Sequence, residues 1–550
     1  MDETSEYKFK RNIDIGDLDA ESDRFLLTAF VQKDDLNFLL NSNDRKCIIL
    51  GRTGSGKTGL IRYLENKKSA TTVRIEPESL SISHLSNSDI VQYFTQLGIK
   101  LELFYKELWR HVFIIELIKM HFPEQDTFFR LIIEKVRGDA KKEQSLKYIK
   151  KWGDKFWKDT EYRINELESQ FENQFKNSLG LESSSAFKHF QATGQIESSS
   201  SNLKRIKTEV MHKAQSVMDK NQSNELRNII KMLKNDVFSK SNQKTYYLVI
   251  DDLDKDWVNQ NIVYDLIKSL MEVLKELSSV PQTKIIIALR TNLLQKIFQE
   301  NKSRGFQREK YQSLYLDLKW SKEELKTLVN NRLSELMRGT YTTETPTIDD
   351  ILTPKKSTKK SEAAFQYLLD RTFYRPRDVI DFFNKAIECA DGNTKISLKT
   401  LKNAEKKYSY GRIVALQDEW EENYGDIEHL YNFLKNVKPT MNLNTLIPLA
   451  EEYYNINHHL LSNIKQLDLK QNFEDYFNNE LDITSLLKEI LVCLYDIGII
   501  GIKIQKRDKT RYSYEYDLPI FSTDLTADSF FSIHKMFYQA LSIEYTRPQR

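Results

Sequence analysis

The first clear period in the chain is helical. Phe25, Leu26, Phe30, Val31, Leu36, Leu39 and Leu40 fall at roughly helical spacing and predict a helix over 25–40. A continuous apolar run follows, Cys47, Ile48, Ile49 and Leu50, and stops at Gly51. A short apolar run bounded by glycine predicts a buried strand. A helical pattern resumes over 59–66, and 71–75 predicts a second strand closed by Pro77. Further on, 246–250 and 284–289 are apolar throughout, with an amphipathic pattern over 262–277 between them. Short, wholly apolar strands alternating with helices predict a parallel sheet with helices on both faces, an α/β architecture.

Between the second and third strands the character changes. Residues 101–240 are rich in Lys, Glu, Phe and Trp, and Leu103, Leu108, Val112, Ile115 and Ile118 keep helical spacing. A large helical insertion is expected there, carrying Trp109, Trp152 and Trp157 and broken by the Ser-rich segment 178–201. Residues 321–338 are helical, 339–360 read as a linker, and 361–390 are helical around a break at Tyr374, Arg375, Pro376 and Arg377. The last third predicts helices to about 496, then a hairpin of 499–504 with 511–517. Its turn holds Lys506, Arg507, Lys509 and Arg511, and Tyr512, Tyr514 and Tyr516 alternate on one face, as packing residues do. Helix followed by a basic-tipped hairpin is similar to a winged helix, a fold that contacts nucleic acid or protein. The expected division is therefore 1–100 and 241–338 for the two parts of a sheet domain, 101–240 for the insertion, 339–420 for a linker and helical lid, and 421–550 for a winged-helix-like domain.

Composition narrows the class. The 550 residues carry 82 basic and 79 acidic side chains, a net charge of +3, so nucleic-acid binding has no whole-chain argument and requires a local patch. The three cysteines, Cys47, Cys389 and Cys493, lie far apart at no metal-ligand spacing, which fits a reducing compartment. No apolar run approaches the ~20 residues that span a bilayer, and the polar N-terminus has no signal-peptide pattern. A cytoplasmic protein without a membrane span is expected.

The chemistry sits at strand ends. Gly51, Arg52, Thr53, Gly54, Ser55, Gly56, Lys57 and Thr58 satisfy G-x4-G-K-[ST] at every constrained position, after an apolar run and before a helical pattern. In that context glycines let backbone N–H groups turn toward phosphate oxygens, the helix N-terminus adds its field, the lysine reaches the β- and γ-phosphates, and the Thr hydroxyl ligates Mg²⁺. ATP with Mg²⁺ is the expected ligand. The third strand runs from Tyr246 to Ile250 into Asp251 and Asp252. A carboxylate at a strand's carboxyl end lies where such sheets bind ligands, so Asp251 is the expected Mg²⁺ partner together with Thr58. Asp252 is the first choice to polarise the attacking water, with Asp254 behind it. Asp is one methylene shorter than Glu, which suits slow or partner-dependent hydrolysis. The fourth strand ends in Arg290, Thr291 and Asn292, and either Arg290 or Asn292 can address the γ-phosphate or the water. Arg375 and Arg377 flank Pro376 at a helix start, against the helix dipole, which makes sense if one of them faces an anion; pairing with Asp378 or Asp381 is the other reading. Arg304 and Arg308, in a basic segment, are candidates for a neighbouring subunit's ATP.

With those residues in order, the chain resembles STAND- or KAP-type P-loop ATPases of the AAA+ group. Leu248, Val249, Ile250, Asp251, Asp252, Leu253, Asp254 and Lys255 are similar to the KAP acidic motif, with Lys255 where that motif usually has Arg. Gly16, Asp17, Leu18, Asp19, Ala20 and Glu21, with Arg375, Pro376, Arg377 and Asp378, resemble a bacterial family of such ATPases often encoded in mobile or anti-phage loci. The resemblance spans roughly 12–420. It implies a nucleotide-binding core, a helical lid and a C-terminal accessory domain. The expected function is an ATP-hydrolysing switch in a defence or signalling system, acting as a homo-oligomer, through a separate effector protein, or both. KAP-type membrane spans have no counterpart in this sequence. The alternatives are a DNA-dependent loader or remodeller using the C-terminal domain, and a scaffold that binds nucleotide without turnover.

Overall fold

The computed structural model describes residues 7–77, 101–121, 130, 173, 223–238, 244–254, 260–300, 307–338, 346–353, 362–459, 464–515 and 520–543. Most of the expected insertion lies outside them, with Trp152, Trp157 and 178–201, and so do Lys255, Arg304 and Tyr516. The described chain divides into two compact units. One comprises 32–52 and 57–318; the other comprises 1–31, 53–56 and 319–550.

The first unit is built on five strands: β1 (Ile48–Gly51), β2 (Thr72–Ile75), β3 (Tyr246–Ile250), β4 (Thr283–Arg290) and β5 (Tyr315–Asp317). All are parallel, in the order β2-β3-β4-β1-β5. Every residue of β3 is buried, and in β4 only the last residue, Arg290, is not. That explains why both strands read as unbroken apolar runs: a parallel sheet covered on both faces has no solvent side to alternate toward. Its helices are α1 (Asp34–Leu40), α2 (Lys57–Lys67), α3 (Glu102–His121), α4 (Ser223–Met232), α5 (Gln260–Leu277) and α6 (Thr291–Glu300). The helix expected over 25–40 survives only as α1, which starts where Asp34 and Asp35 place two carboxylates in the first turn.

Helix α3 carries a broad apolar face, and Leu108, Trp109, Val112, Phe113, Ile114, Ile115 and Leu117 have no exposed surface. A face that broad needs a core to pack against. It shares one core with the sheet and α5, and Trp109 Nε1 donates to the Leu266 carbonyl at 3.0 Å. Residues 102–121, expected at the start of an insertion, are thus packed into the sheet's own core.

Connections out of β1 lead toward β2 and those out of β4 toward β5, in opposite directions across the sheet. Adjacent strands whose connections diverge in this way leave a crevice beyond their carboxyl ends. Register places Gly51 opposite Arg290, at the mouth of that crevice.

The second unit is helical with one small sheet. Helices α7 (Lys322–Met337), α8 (Glu362–Leu369), α9 (Pro376–Cys389) and α10 (Leu398–Tyr424) share a core with the remainder. Ser321 and Glu324 form a capping box at the start of α7. The stretch expected as a linker contains a helical turn, Ile348–Ile351, whose two isoleucines are buried. Beyond α10 come β6 (Thr440–Asn442), α11 (Leu443–Ile456), α12 (Leu467–Phe477), α13 (Ile483–Ile497), β7 (Ile500–Lys503) and β8 (Phe530–Ile533). The sheet is antiparallel, in the order β6-β8-β7. The hairpin differs from the sequence expectation. β7 pairs with β8, and of the expected partner 511–517 the described residues, 511–515, contribute a single bridge, Arg511 to Ile502. Tyr512 and Tyr514 stack on each other at 5.5 Å and both pack on His534, so their side chains serve the core instead of a strand face.

Candidate active site

Within the sheet unit, β1 delivers Gly51 and Arg52, and α2 opens with Lys57 and Thr58. Lys57 Nζ lies back over the start of the loop, donating to the carbonyls of Gly51 at 3.0 Å and Arg52 at 3.2 Å. Two backbone carbonyls thus accept from the ammonium at the start of the loop.

At the end of β3, Asp251 is buried. Its Oδ1 accepts from the Asp252 N–H at 3.0 Å, and the Thr58 hydroxyl hydrogen-bonds the carboxylate. Oδ2 is buried with no hydrogen-bond partner. Burial and the neighbouring Asp252 charge raise this carboxyl above its ordinary range, against the opposing pull of Thr58. A hydroxyl and a carboxylate side by side, one carboxylate oxygen left over, fit Mg²⁺, which takes one or two protein oxygens and keeps water and phosphate for the rest. Among the described residues no group of three or more His, Cys, Asp or Glu side chains is placed to hold a metal ion.

The site charges the fold for Asp251, and this is testable. A folded-state carboxyl pKa above the unfolded one gives a stability contribution that is full below the unfolded value and is lost as pH rises through the folded value. At neutral pH, Asp251→Asn is therefore expected to raise the melting midpoint of metal-free protein, with the gain shrinking on acidification. A midpoint that falls or stays put would show that the ionised carboxylate is well solvated.

Asp252 sits in the left-handed region, φ 58°, a conformation that Asp tolerates better than most residues. Asp254 is ion-paired with Arg290. The Asp254 carboxylate is engaged by that guanidinium, and the Asp252 side chain is half-exposed beside Asp251. The ion pair also commits Arg290, the residue in register with Gly51, to a carboxylate within its own unit. Asn292 lies in the first turn of α6.

The tip of the loop, Thr53 to Gly56, belongs with the helical unit. Gly54 and Gly56 have φ 77° and 96°, which β-carbons disfavour. At Gly54 the space is closed as well, since an added Cβ would lie 2.7 Å from Arg377 Cβ. Trp320 Nε1 donates to the Ser55 carbonyl at 2.7 Å, the Arg377 N–H donates to the Gly54 carbonyl at 3.3 Å, and Arg375 donates to the Thr53 carbonyl. The hydroxyls of Thr53 and Ser55 are buried without hydrogen-bond partners.

The two arginines flanking Pro376 play different parts. Arg375 is buried, with Nε 2.9 Å from Asp378 Oδ2 and a terminal nitrogen 3.5 Å from Glu419. Asp378 has no exposed surface and also faces Arg412 at 3.4 Å and accepts the Phe373 N–H at 3.0 Å. Burial alone would raise this carboxyl; Arg375 and Arg412 overcome that and hold it below the ordinary range. Burial likewise disfavours charged Arg375, but Asp378 and Glu419 outweigh it and raise its pKa. Arg375 is therefore a strut between the loop tip and a buried charge cluster. Arg377 forms no ion pair among the described residues; its Nε donates to the Leu18 carbonyl at 3.1 Å. Burial, with Arg375 and Arg412 nearby, lowers its pKa against the weaker opposing pull of Glu419 and Asp378. Pairing with Asp378 holds for Arg375 and not for Arg377. Asp381, the other suggested partner, is taken by Lys385. Arg308 is exposed and lies 5.1 Å from the Phe298 ring. Trp320, Glu419 and Arg412 had no signal in the sequence pattern, because each reaches its partner from a distant element.

The parallel sheet with its helices is compatible with the α/β class to which P-loop proteins belong. Residues 323–417 match a family described as the FunZ-associated C-terminal helical domain, and the matched stretch contains Arg375, Arg377, Asp378 and Arg412. No curated protein matches the chain. No helix among the described residues is long and apolar enough to cross a membrane.

Proposed function

We propose that the chain is a P-loop ATPase of the STAND/KAP type that binds ATP with Mg²⁺ on residues 51–58 and works as a nucleotide-driven switch in a bacterial defence or signalling system. The observation that carries the reading is the Thr58–Asp251 hydrogen bond beside Lys57: a hydroxyl from the helix after the glycine loop joined to a buried carboxylate at the end of β3. In this reading the loop N–H groups and Lys57 hold the phosphates. Thr58 and Asp251 hold Mg²⁺, which when bound neutralises charge on the β- and γ-oxygens. Asp252 orients and deprotonates the attacking water. Arg377, packed on Gly54 and lacking a carboxylate, is the better placed of the two lid arginines to meet an anion. Arg375 reports the loop's position to the helices through Asp378 and Glu419.

The regulatory reading is favoured over a DNA-acting one by a feature of the C-terminal sheet. The order β6-β8-β7 with preceding helices supports a winged-helix-like domain. The helix leading into β7 is α13, and none of its residues is exposed. Its half-exposed residues include one base, Lys488, beside the acids Glu489 and Asp496, a poor match to a phosphate-lined groove. The basic residues Lys506, Arg507 and Lys509 remain available for phosphate contact alone, and the accessory domain is better suited to protein partners, a second copy or a separate effector.

Asp252→Asn tests the chemistry. It removes the base and keeps the phosphate loop, so Mg²⁺·ATP affinity should be retained while single-turnover hydrolysis falls by roughly 10²–10⁴-fold. Unchanged turnover would transfer the base to another residue.

A further inference from the structure

Three successive carbonyls at the tip of the glycine loop each accept from a donor of the helical unit. Arg375 donates to Thr53, the Arg377 N–H to Gly54 at 3.3 Å, and Trp320 Nε1 to Ser55 at 2.7 Å. The Thr53 and Ser55 hydroxyls make no hydrogen bond, so the tip is held by its backbone. The donors lie together: Arg375 and Arg377 flank Pro376, and a Cβ on Gly56 would lie 3.7 Å from the Trp320 ring and 3.8 Å from Pro376. In a trans peptide unit the carbonyl of one residue and the N–H of the next point in opposite directions. Each donor therefore turns the following N–H, of Gly54, Ser55 or Gly56, away from itself. Successive N–H groups turned outward from their support form a nest for an anion.

One of the three donors can be removed alone. Arg377 acts through its main chain, and Arg375 also serves Asp378 and Glu419. Trp320 immediately precedes α7, whose first residues are locked by the capping box of Ser321 and Glu324, and its ring packs against the helical core. A capped helix start thus delivers the indole N–H to Ser55.

We propose that Trp320 is a positioning residue for the phosphate loop: by holding the Ser55 carbonyl it aims the Gly56 N–H at a phosphate oxygen, and with the other two donors it shapes the nest before an anion arrives. The inference rests on phosphate binding at residues 51–58. Groups ordered in advance cost less to order on binding, so the loss of the indole donor falls on the phosphates.

The test compares Mg²⁺·ATP affinity in wild type, Trp320→Phe and Lys57→Ala, with magnesium pyrophosphate as a competitor that carries phosphates alone. W320F should weaken ATP and pyrophosphate by the same factor, roughly 3- to 10-fold, the worth of one hydrogen bond. Should W320F fail to fold, replacing Trp320 with benzothienylalanine, which keeps the ring size and lacks the N–H, should give the same loss. A second readout is spectroscopic. An anion on the Gly56 N–H polarises the Ser55–Gly56 peptide and strengthens its carbonyl as an acceptor. The Trp320 indole N–H resonance, identified among those of the six tryptophans by its absence from W320F, should therefore move downfield when pyrophosphate binds. Unchanged affinity in the variant, a loss for ATP alone, or an unmoved indole resonance would each overturn the proposal while Lys57 remained essential. A K57A chain that binds ATP like wild type would instead overturn the phosphate-loop reading, and this inference with it.

Discussion

Lys57→Ala is expected to weaken ATP binding by roughly 30- to 5,000-fold while leaving the fold nearly as stable as wild type. The ammonium rests on the Gly51 and Arg52 carbonyls at 3.0 and 3.2 Å, and is the one lysine within the glycine loop sequence. Removing one partner of a hydrogen-bonded charge pair costs about 2–5 kcal/mol, which gives that range. The same deletion costs the fold little, because the Gly51 and Arg52 carbonyls belong to a half-exposed loop that water can reach. Titration with Mg²⁺·ATP and a thermal melt of the apo protein separate the two effects. Equal affinity in the variant would mean that phosphate is not bound at this loop.

Asp378→Asn should have the opposite profile, a large loss of stability. The carboxylate is wholly buried between Arg375 and Arg412. The isosteric amide keeps the volume and removes the charge, so two buried guanidiniums face each other with Glu419 alone beside Arg375. Breaking a buried pair by neutralising one partner costs about 3–5 kcal/mol. The pH dependence follows from the direction of the shift. A carboxyl held below its unfolded value contributes stability that is full above that value, about 3.9, and is lost as pH falls through the folded one. Denaturant midpoints of the variant and wild type should therefore differ most at neutral pH and converge in acid. A difference independent of pH would assign the loss to packing instead of charge.

The parts of the chain that were legible in sequence are those where one local rule decides the outcome. β1, β3 and β4 were visible because a strand buried on both faces must be apolar throughout, and the turn after β1 because the glycines that end the apolar run mark it. What stayed hidden depends on contacts between distant positions. The spacing of Arg375 and Arg377 shows two cations at a helix start, but Glu419 and Arg412, which decide their roles, arrive from α10. The Arg290–Asp254 pair likewise joins the ends of two strands' connections. Helix α3 reads as part of an insertion because its neighbours in sequence are charged, although its broad apolar face already called for a core to pack against. The hairpin was misplaced because alternating tyrosines mimic a strand, whereas Tyr512 and Tyr514 stack on each other and meet His534 edge-on.

Phosphate release from ATP by the purified chain, with Mg²⁺ and with chelator, alone and with single-stranded or duplex DNA, tests the central claim most directly. Slow, Mg²⁺-dependent turnover that DNA does not alter is the predicted result. Absence of Mg²⁺-dependent turnover even in a single-turnover assay would contradict the ATPase reading, and strong stimulation by DNA would contradict the switch in favour of a nucleic-acid-driven machine.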